Sequence, residues 1–127
     1  MTRTAITAPG AAAVGPYSHA IDSDGLVFLS GQTPLDTATG QLVDGPIDDQ
    51  ARQCFVNLVN VLTAASLDHS DVIKCNVFLT DMDDFAAMNA VYAEQFATPF
   101  PARTTIGVAS LPLGARIEIE MIARRRS

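Results

Sequence analysis

Hydrophobic and polar residues alternate along several stretches of this chain, and such alternation predicts β-strands. The clearest stretch is Ala115–Ala123. One face is apolar and carries Ile117, Ile119 and Met121. The other face is mainly charged and carries Arg116, Glu118, Glu120 and Ile122. The stretch Leu26–Gly31 is instead apolar on both faces, so both of its faces must be covered.

Two stretches have apolar residues three and four positions apart, which is typical of helices buried on one face. The first is Asp48–Ala65, with the apolar positions Ala51, Cys54, Phe55, Leu58, Leu62 and Ala65. The second is Asp81–Ala97, with the apolar positions Phe85, Met88, Tyr92 and Phe96. Asn89 lies beside this second stripe, where its amide needs a hydrogen-bonding partner in a loop or a ligand.

The remaining predicted strands are short. They are Thr2–Thr7, Tyr17–Asp22 (paired as a hairpin with Leu26–Gly31), Gln41–Val43, Val72–Thr80, and a strand that Arg103 opens and that continues through the β-branched residues to Val108. From Phe100 to Met121 the chain therefore reads as two strands joined by a turn at 111–114.

This order of elements predicts one α+β domain spanning residues 1–127, with a mixed sheet of about six strands packed on two helices. Two helices cover only one face of such a sheet. Because the opposite face is also apolar, we expect another subunit to cover it. Charged residues make up only 17% of the chain, which agrees with surface buried between subunits.

Charge and composition exclude several classes of function. The formal net charge of −6 repels phosphate backbones, so we expect no nucleic-acid binding, and the basic run Arg124–Arg126 is expected to be a solvated tail. No apolar stretch is long enough to span a bilayer, and the N-terminus lacks the apolar segment of a signal peptide, so no membrane contact and a cytoplasmic location are expected.

The sequence contains no pattern of residues that indicates a metal site or a catalytic triad. Cys54 and Cys75 are far apart and have no ligand spacing, which favours reduced thiols in the core. His19 and His69 have no nucleophile or ligand set evident beside them.

Arg103 and Glu118 stand out because charged residues occupy positions where core residues are expected. From the residues alone, a salt bridge between adjacent strands is the favoured interpretation, since such pairs are common and contribute little. A binding or catalytic site is the alternative.

The chain resembles the RidA/YjgF family of reactive-intermediate deaminases. The matching segments are Gly15–Ser18, Leu29–Gln32, Val77–Leu79 with Asp81, Asp84–Phe85, Met88–Asn89 with Tyr92, Phe100–Arg103, Leu111–Pro112 and Ile117–Glu120. The resemblance implies a chorismate-mutase-like sheet backed by two helices, assembled as a homotrimer with three clefts between subunits.

The resemblance also implies an activity, the hydrolysis of 2-imino and 2-enamino acids such as 2-iminobutanoate and 2-iminopropanoate to 2-keto acids and ammonia, without metal or organic cofactor. It makes Arg103 the binder of the substrate carboxylate, Glu118 the partner of the hydrolytic water, and places Tyr17, Ser30, Gly31 and Asn89 around the cleft. Such roles suit these residue types: a guanidinium fork matches a carboxylate, and a carboxylate can orient water and accept its proton.

Thr105 stands at a position where many similar proteins have cysteine, and we expect it to line the site and to affect preference among imines. Structural readings stay open for some of these residues: Tyr17 packing over a strand end, Ser30 satisfying a backbone group, and Glu120 serving as a structural or intersubunit residue.

Other functions remain to be compared with the deaminase. One is a non-catalytic module that binds a small carboxylate and regulates a partner. Another is a pathway-specific deaminase acting on 2-aminomuconate or aminoacrylate. A third, ribonuclease or translation inhibitor, is a label that some proteins of this family carry, but the acidic charge and the lack of a basic, aromatic-interleaved patch oppose it.

Overall fold

The computed structural model describes residues 3–9 and 15–126. The strands are β1 (Thr4–Ile6), β2 (Ala20–Ser23), β3 (Leu26–Gln32), β4 (Leu35–Asp36), β5 (Gln41–Leu42), β6 (Val72–Leu79), β7 (Ala102–Gly107) and β8 (Ile117–Arg124). The helices are α1 (Ile47–Ala64) and α2 (Phe85–Gln95), and short 3₁₀ turns precede β6, α2 and β8. The predicted α+β order is confirmed. Among the described residues, none of the helices has the length and apolarity required to cross a bilayer.

Six of the described strands form one mixed sheet in the order β1-β2-β3-β8-β6-β7. Neighbouring strands are antiparallel except β6 and β7, which are parallel. The two strands predicted in the last part of the chain are present as β7 and β8. They are not neighbours in the sheet, however, because β6 lies between them. The connection from β7 to β8 therefore passes over β6 and is not a hairpin. A hairpin would have made β8 the antiparallel neighbour of β7, whereas the neighbour of β7 is the parallel strand β6.

Both helices pack on the same face of the sheet. Every apolar position predicted for α1 is buried, and so are Met88, Tyr92 and Phe96 in and after α2. The rings of Phe55, Tyr92 and Phe96 lie 5.1–6.1 Å apart in edge and tilted contacts that join the helices. Phe85 is the exception in its stripe, at 37% exposure.

The other face of the sheet is covered by neither helix, and several of its apolar side chains are exposed in the described part of the chain. Strand alternation places Leu26 and Phe28 of β3 on this open face, together with Ile106 of β7, and each is exposed by 38–45%. Val27 and Leu29, which point to the helices, are at most 4% exposed. The two-sided apolarity of the predicted strand therefore has a structural counterpart: one side is the core and the other is an apolar surface.

Some boundaries differ from the prediction. The strand predicted from Tyr17 begins at Ala20, and before it the Ser18 carbonyl accepts from the Ser30 hydroxyl rather than from a backbone amide of β3. The helix predicted over 81–97 extends only from Phe85 to Gln95, since the Asp81 carboxylate accepts the Asp83 amide and closes a 3₁₀ turn first. Thr2, in the first predicted strand, lies outside the described residues, and that strand begins at Thr4.

The segment between β3 and α1 is attached to the core by buried side-chain amides of α1, among them that of Asn57. β4 and β5 pair with each other in this segment, near the predicted short strand. Asn57 of α1 donates from Nδ2 to the carbonyl oxygens of Thr33 (3.2 Å) and Leu35 (2.9 Å), and its Oδ1 accepts from Gln53. The Asn57 amide thus supplies hydrogen-bond donors to backbone carbonyl groups of the segment.

We predict that Asn57→Ala lowers the free energy of unfolding by about 1–3 kcal/mol, because two half-buried carbonyl groups lose their donor. Urea denaturation followed by circular dichroism measures the change. The exposed Asn60 on the same helix provides the control, and Asn60→Ala should stay within about 0.5 kcal/mol of wild type. Equal effects of the two substitutions would show that Asn57 does not hold the segment.

Candidate active site

Glu118 lies on the open face of the sheet beside a cavity of about 330 Å³, which we name the Glu118 cavity. Its place on this face follows from its pairing with the half-buried Phe78, while its neighbours Ile117 and Ile119 are fully buried on the helix side. The cavity is lined by Tyr17, Ser30, Gly31, Gln32, Thr33, Leu35, Pro112, Leu113 and Glu118.

The Glu118 side chain packs over the backbone of Gly31. A Cβ atom at position 31 would lie 3.0 Å from Glu118 Cδ and 3.2 Å from its Cγ, and closer still to the carboxylate oxygen Oε2. The register of β3 against β8 shifts between Leu29 and Gln32, so this close approach occurs at an irregularity in the ladder. Gly31 therefore shapes the site by giving room to the carboxylate.

The pKa of Glu118 lies above its ordinary value of 4.5, first because burial disfavours the charged form and second because Glu120 is a like charge on the same face. Glu120 accepts a hydrogen bond from Asn76 Nδ2 at 3.1 Å. Among the described residues neither carboxylate has an ion-pair partner. Glu118 is thus a carboxyl group with raised proton affinity next to open space.

Arg103 lies on the opposite face, at the sheet edge formed by β7. It pairs with the buried Cys75, so its side chain points to the helix side. Its Nη1 donates to Asn89 Oδ1 at 2.7 Å, and its Cζ lies 4.6 Å from the ring centre of Tyr92 and 5.6 Å from that of Phe85. The two rings and the amide hold the guanidinium in one orientation.

This orientation leaves one edge of the guanidinium available. Asn89 uses Nη1, while Nε and Nη2 have no hydrogen-bond partner among the described residues. The available edge has the parallel donor geometry that binds a carboxylate bidentately. Beside it is a groove, which we name the Arg103 groove, lined by Asn89, Tyr92, Ala93, Phe100, Pro101 and Arg103.

The two candidate catalytic residues are not close together within one chain. Their register partners on β6 are three residues apart and their strands are separated by β6, which puts their Cα atoms about 14 Å apart in the plane of the sheet. Their side chains also leave opposite faces. The hypothesis of a salt bridge between adjacent strands is therefore wrong, because the strands are not adjacent.

The other predicted residues divide between the two places. Tyr17, Ser30 and Gly31 join Glu118, and Asn89 joins Arg103. The Ser30 hydroxyl donates to the Ser18 carbonyl at 2.6 Å, so its proton is engaged and only its oxygen can accept. Thr105 lies on the same face as Arg103, two residues along β7, and its buried hydroxyl has no hydrogen-bond partner among the described residues.

The sequence reasoning missed the aromatic support of Arg103 and the apolar wall of the Glu118 cavity. Phe85 and Tyr92 were assigned to the helix core, although their spacing of seven residues with Asn89 between them puts all three on one helix face. That spacing was the available signal. Leu113 belongs to the predicted turn at 111–114, and no pattern in the sequence indicates that it lines the cavity.

No metal or thiol chemistry is evident in the described part of the chain. There, no group of three His, Cys, Asp or Glu side chains is arranged to hold a metal ion. Cys54 and Cys75 are free and buried, as predicted for core thiols. Burial raises the pKa of both thiols, that of Cys75 to about 11, so both are protonated near neutral pH.

Comparison with known proteins gives a family match over most of the chain. Residues 6–125 match the family model described as Endoribonuclease L-PSP. The chain is 46% identical over 125 residues to the mitochondrial protein mmf1 of Schizosaccharomyces pombe, covering 96% of this chain and 76% of that protein. It is 48% identical over 109 residues to a protein of Dermatophagoides farinae named 2-iminobutanoate/2-iminopropanoate deaminase, covering 86% of this chain and 85% of that protein.

Solved structures share the fold. The crystal structure of RidA from the Antarctic bacterium Psychrobacter superposes with a TM-score of 0.92 at 41% sequence identity, covering 97% of this chain and all of that chain. The predicted chorismate-mutase-like sheet with two helices is confirmed.

We predict that Glu118→Gln raises thermal stability at high pH. Folded Glu118 binds its proton more tightly than unfolded Glu118 does, so ionisation lowers the stability of the wild type as pH rises through and above 4.5. The variant should therefore melt about 2–4 °C higher at pH 8, since solvent screens part of the cost, and the difference should vanish below pH 4.

Calorimetry over this pH range measures the difference. The control Glu94→Gln removes an exposed carboxylate that pairs with Arg52 at 3.4 Å, so it should bring no gain at pH 8. A Glu118→Gln variant that melts at or below the wild-type temperature at pH 8 would contradict the cost assigned to the buried charge.

Proposed function

The chain belongs to the Endoribonuclease L-PSP family, the family of the RidA and YjgF proteins, and from this premise we propose that it hydrolyses 2-imino and 2-enamino acids to 2-keto acids and ammonia. Substrates of this kind include 2-iminobutanoate and 2-iminopropanoate, the compounds in the name of the Dermatophagoides farinae relative. The observation that carries the proposal is the pair of half-sites: an oriented guanidinium with a free edge, and a carboxyl group of raised pKa beside a cavity.

Arg103 binds the substrate carboxylate in this proposal. Its Nε and Nη2 donate the two parallel hydrogen bonds, while Asn89 and the Tyr92 ring fix the guanidinium plane. Because this orientation exists before the ligand arrives, little side-chain entropy is lost on binding. Asn89 is then a positioning residue, and Thr105 lies beside the bound carboxylate.

Glu118 acts on the water. The carboxylate accepts a proton from the water as the water oxygen adds to C2 of the protonated imine and the C=N π electrons move to nitrogen, which gives a neutral tetrahedral aminoalcohol. Glu118 returns this proton to the amino group, the C–N bond breaks with its electron pair on the departing ammonia, and the carboxylate takes the hydroxyl proton as the C=O bond of the 2-keto acid forms. A pKa raised toward the working pH suits both steps, since the same group must take up and release a proton. Placing the water and the imine together supplies the rest.

A complete site requires two copies of the chain. In one copy Arg103 and Glu118 point away from opposite faces of the sheet, so no small molecule reaches both. The exposed apolar residues of the open face support the association that would bring the β7 edge of one subunit to the Glu118 cavity of the next. We propose a homotrimer in which each cleft takes Arg103 from one subunit and Glu118 from another.

The family description speaks of an endoribonuclease, and that activity is not part of the proposal. The chain has a net charge of −6, and its pocket-lining carboxyl group would repel a phosphate backbone. We also keep the cytoplasm as the proposed location on the sequence argument, while the Schizosaccharomyces pombe relative is named as mitochondrial.

The first test couples the protein to a pyridoxal-phosphate-dependent threonine dehydratase, which releases the unstable imine. Semicarbazide reacts faster with the imine than with 2-ketobutyrate, so a wild type that diverts the imine to 2-ketobutyrate should lower the initial rate of semicarbazone formation. Arg103→Ala should lose at least about 100-fold in kcat/KM, because a charge-assisted bidentate contact is removed. A wild type that leaves the initial rate of semicarbazone formation unchanged would contradict the deaminase and favour a module that only binds carboxylates.

The second test asks whether the site is shared. Arg103→Ala and Glu118→Gln subunits, each inactive alone, should regain activity when they are co-expressed with different tags and purified together. In a trimer that carries both tags, about one cleft in three receives an intact Arg103 and an intact Glu118 from different subunits.

Activity near a third of the wild-type value, roughly, is therefore expected in the preparation purified through both tags. If both residues acted within one subunit, no mixed assembly would contain an intact site. Absence of activity in the hybrid would thus overturn the shared cleft while leaving the deaminase reaction itself intact.

A further inference from the structure

Leu113 occupies a conformation and an environment that both disfavour leucine. Its φ of 64° lies in the left-handed region, which β-carbon contacts make costly for a bulky residue. Its side chain is also 58% exposed, more than any other large apolar residue described as exposed. Neither backbone preference nor burial in the core explains a leucine here. Strained residues of this type often lie at functional sites.

The side chain lies at the Glu118 cavity. Together with Tyr17, Leu35 and Pro112 it forms the apolar part of the lining, and Glu118 supplies the carboxyl group. An exposed leucine at the rim of a cavity that contains the proposed base gains burial when a ligand fills the cavity.

Leu113 is held in place by its loop. The amides of Gly114 and Ala115 donate to the carbonyl groups of Leu111 and Pro112 at 3.2 and 3.1 Å. Arg116, at the end of the loop, donates through Nη2 to both carboxylate oxygens of Asp84 at 2.9 Å, which fixes the loop to the start of α2. The leucine is therefore presented to the cavity by a preorganised segment.

We propose that Leu113 is a specificity-determining residue that contacts the alkyl side chain of the substrate and favours 2-imino acids with longer apolar side chains. The inference rests on the proposed function. A 2-imino acid has three parts: the carboxylate goes to Arg103, the C=N carbon must face the water held by Glu118, and the alkyl group is left to the apolar wall. Leu113 is the exposed member of that wall at the loop tip.

Two variants separate the apolar contact from the backbone conformation. Glycine and asparagine both accept a left-handed φ, so Leu113→Gly removes the side chain and Leu113→Asn keeps about its size but makes it polar. The control is Ser66→Gly, because Ser66 also has a left-handed φ of 61° but lies after α1, away from the residues lining the cavity. None of the three substitutions should lower the melting temperature.

An L-amino-acid oxidase acting on 2-aminobutanoate or alanine generates the two imines, which differ by one methylene. In both Leu113 variants the kcat/KM for 2-iminobutanoate relative to 2-iminopropanoate should fall about fivefold or more, and Ser66→Gly should keep the wild-type ratio. A ratio within about twofold of wild type in both variants, or an equal loss for both imines, would overturn the role of Leu113.

Binding of the stable products gives an independent readout. Calorimetry should show that the affinity for 2-oxobutanoate relative to that for pyruvate falls in the two Leu113 variants, as the ratio of kcat/KM values does. If the wild type hydrolyses neither imine, the proposed function fails, yet this affinity ratio still decides the inference. A lowered ratio supports the apolar contact, and an unchanged ratio rejects it.

Discussion

The alternation of side chains along a β-strand is the constraint on which the candidate site depends. The register of β6 with its two neighbours puts Arg103 on the helix face and Glu118 on the open face. A shift of one residue in either pairing would reverse one of these faces and expose core residues such as Val77 or Ile119, so the core itself fixes the arrangement. The same hydrophobic packing that stabilises one subunit therefore leaves its chemistry divided between two surfaces.

The two half-sites are stabilised in different ways. Arg103 is half-buried at an edge strand, and its orientation comes from the α2 residues Asn89 and Tyr92, so the packing of α2 on the sheet sets the direction of its free guanidinium edge. Glu118 depends on the absence of a side chain, since Gly31 leaves space for it at an irregularity in the β3–β8 ladder. Its partly desolvated charge is costly to the fold, and in the proposed reaction the raised pKa suits proton transfer, a conflict common at functional sites.

Local patterns predicted the elements well, because each is fixed by its own periodicity. All six apolar positions assigned to α1 are buried, and the alternating faces of β8 are as expected. Errors occurred where side chains compete with the regular backbone pattern. Asp81 caps a 3₁₀ turn and delays α2, and the Ser30 hydroxyl takes a carbonyl near the predicted start of β2. Such competition depends on neighbours that a periodicity does not contain.

The sequence by itself determined the α+β class, the buried face of each element, the excess of apolar surface and, through the family resemblance, the residues to consider. Only the tertiary structure decided that β6 separates Arg103 from Glu118, that the two point from opposite faces, and that Phe85 and Tyr92 support the guanidinium. The strained, exposed Leu113 was likewise visible only in the fold. The physical reason is that periodicity reports whether a residue is buried, whereas strand order and long-range contacts arise from packing between segments distant in sequence.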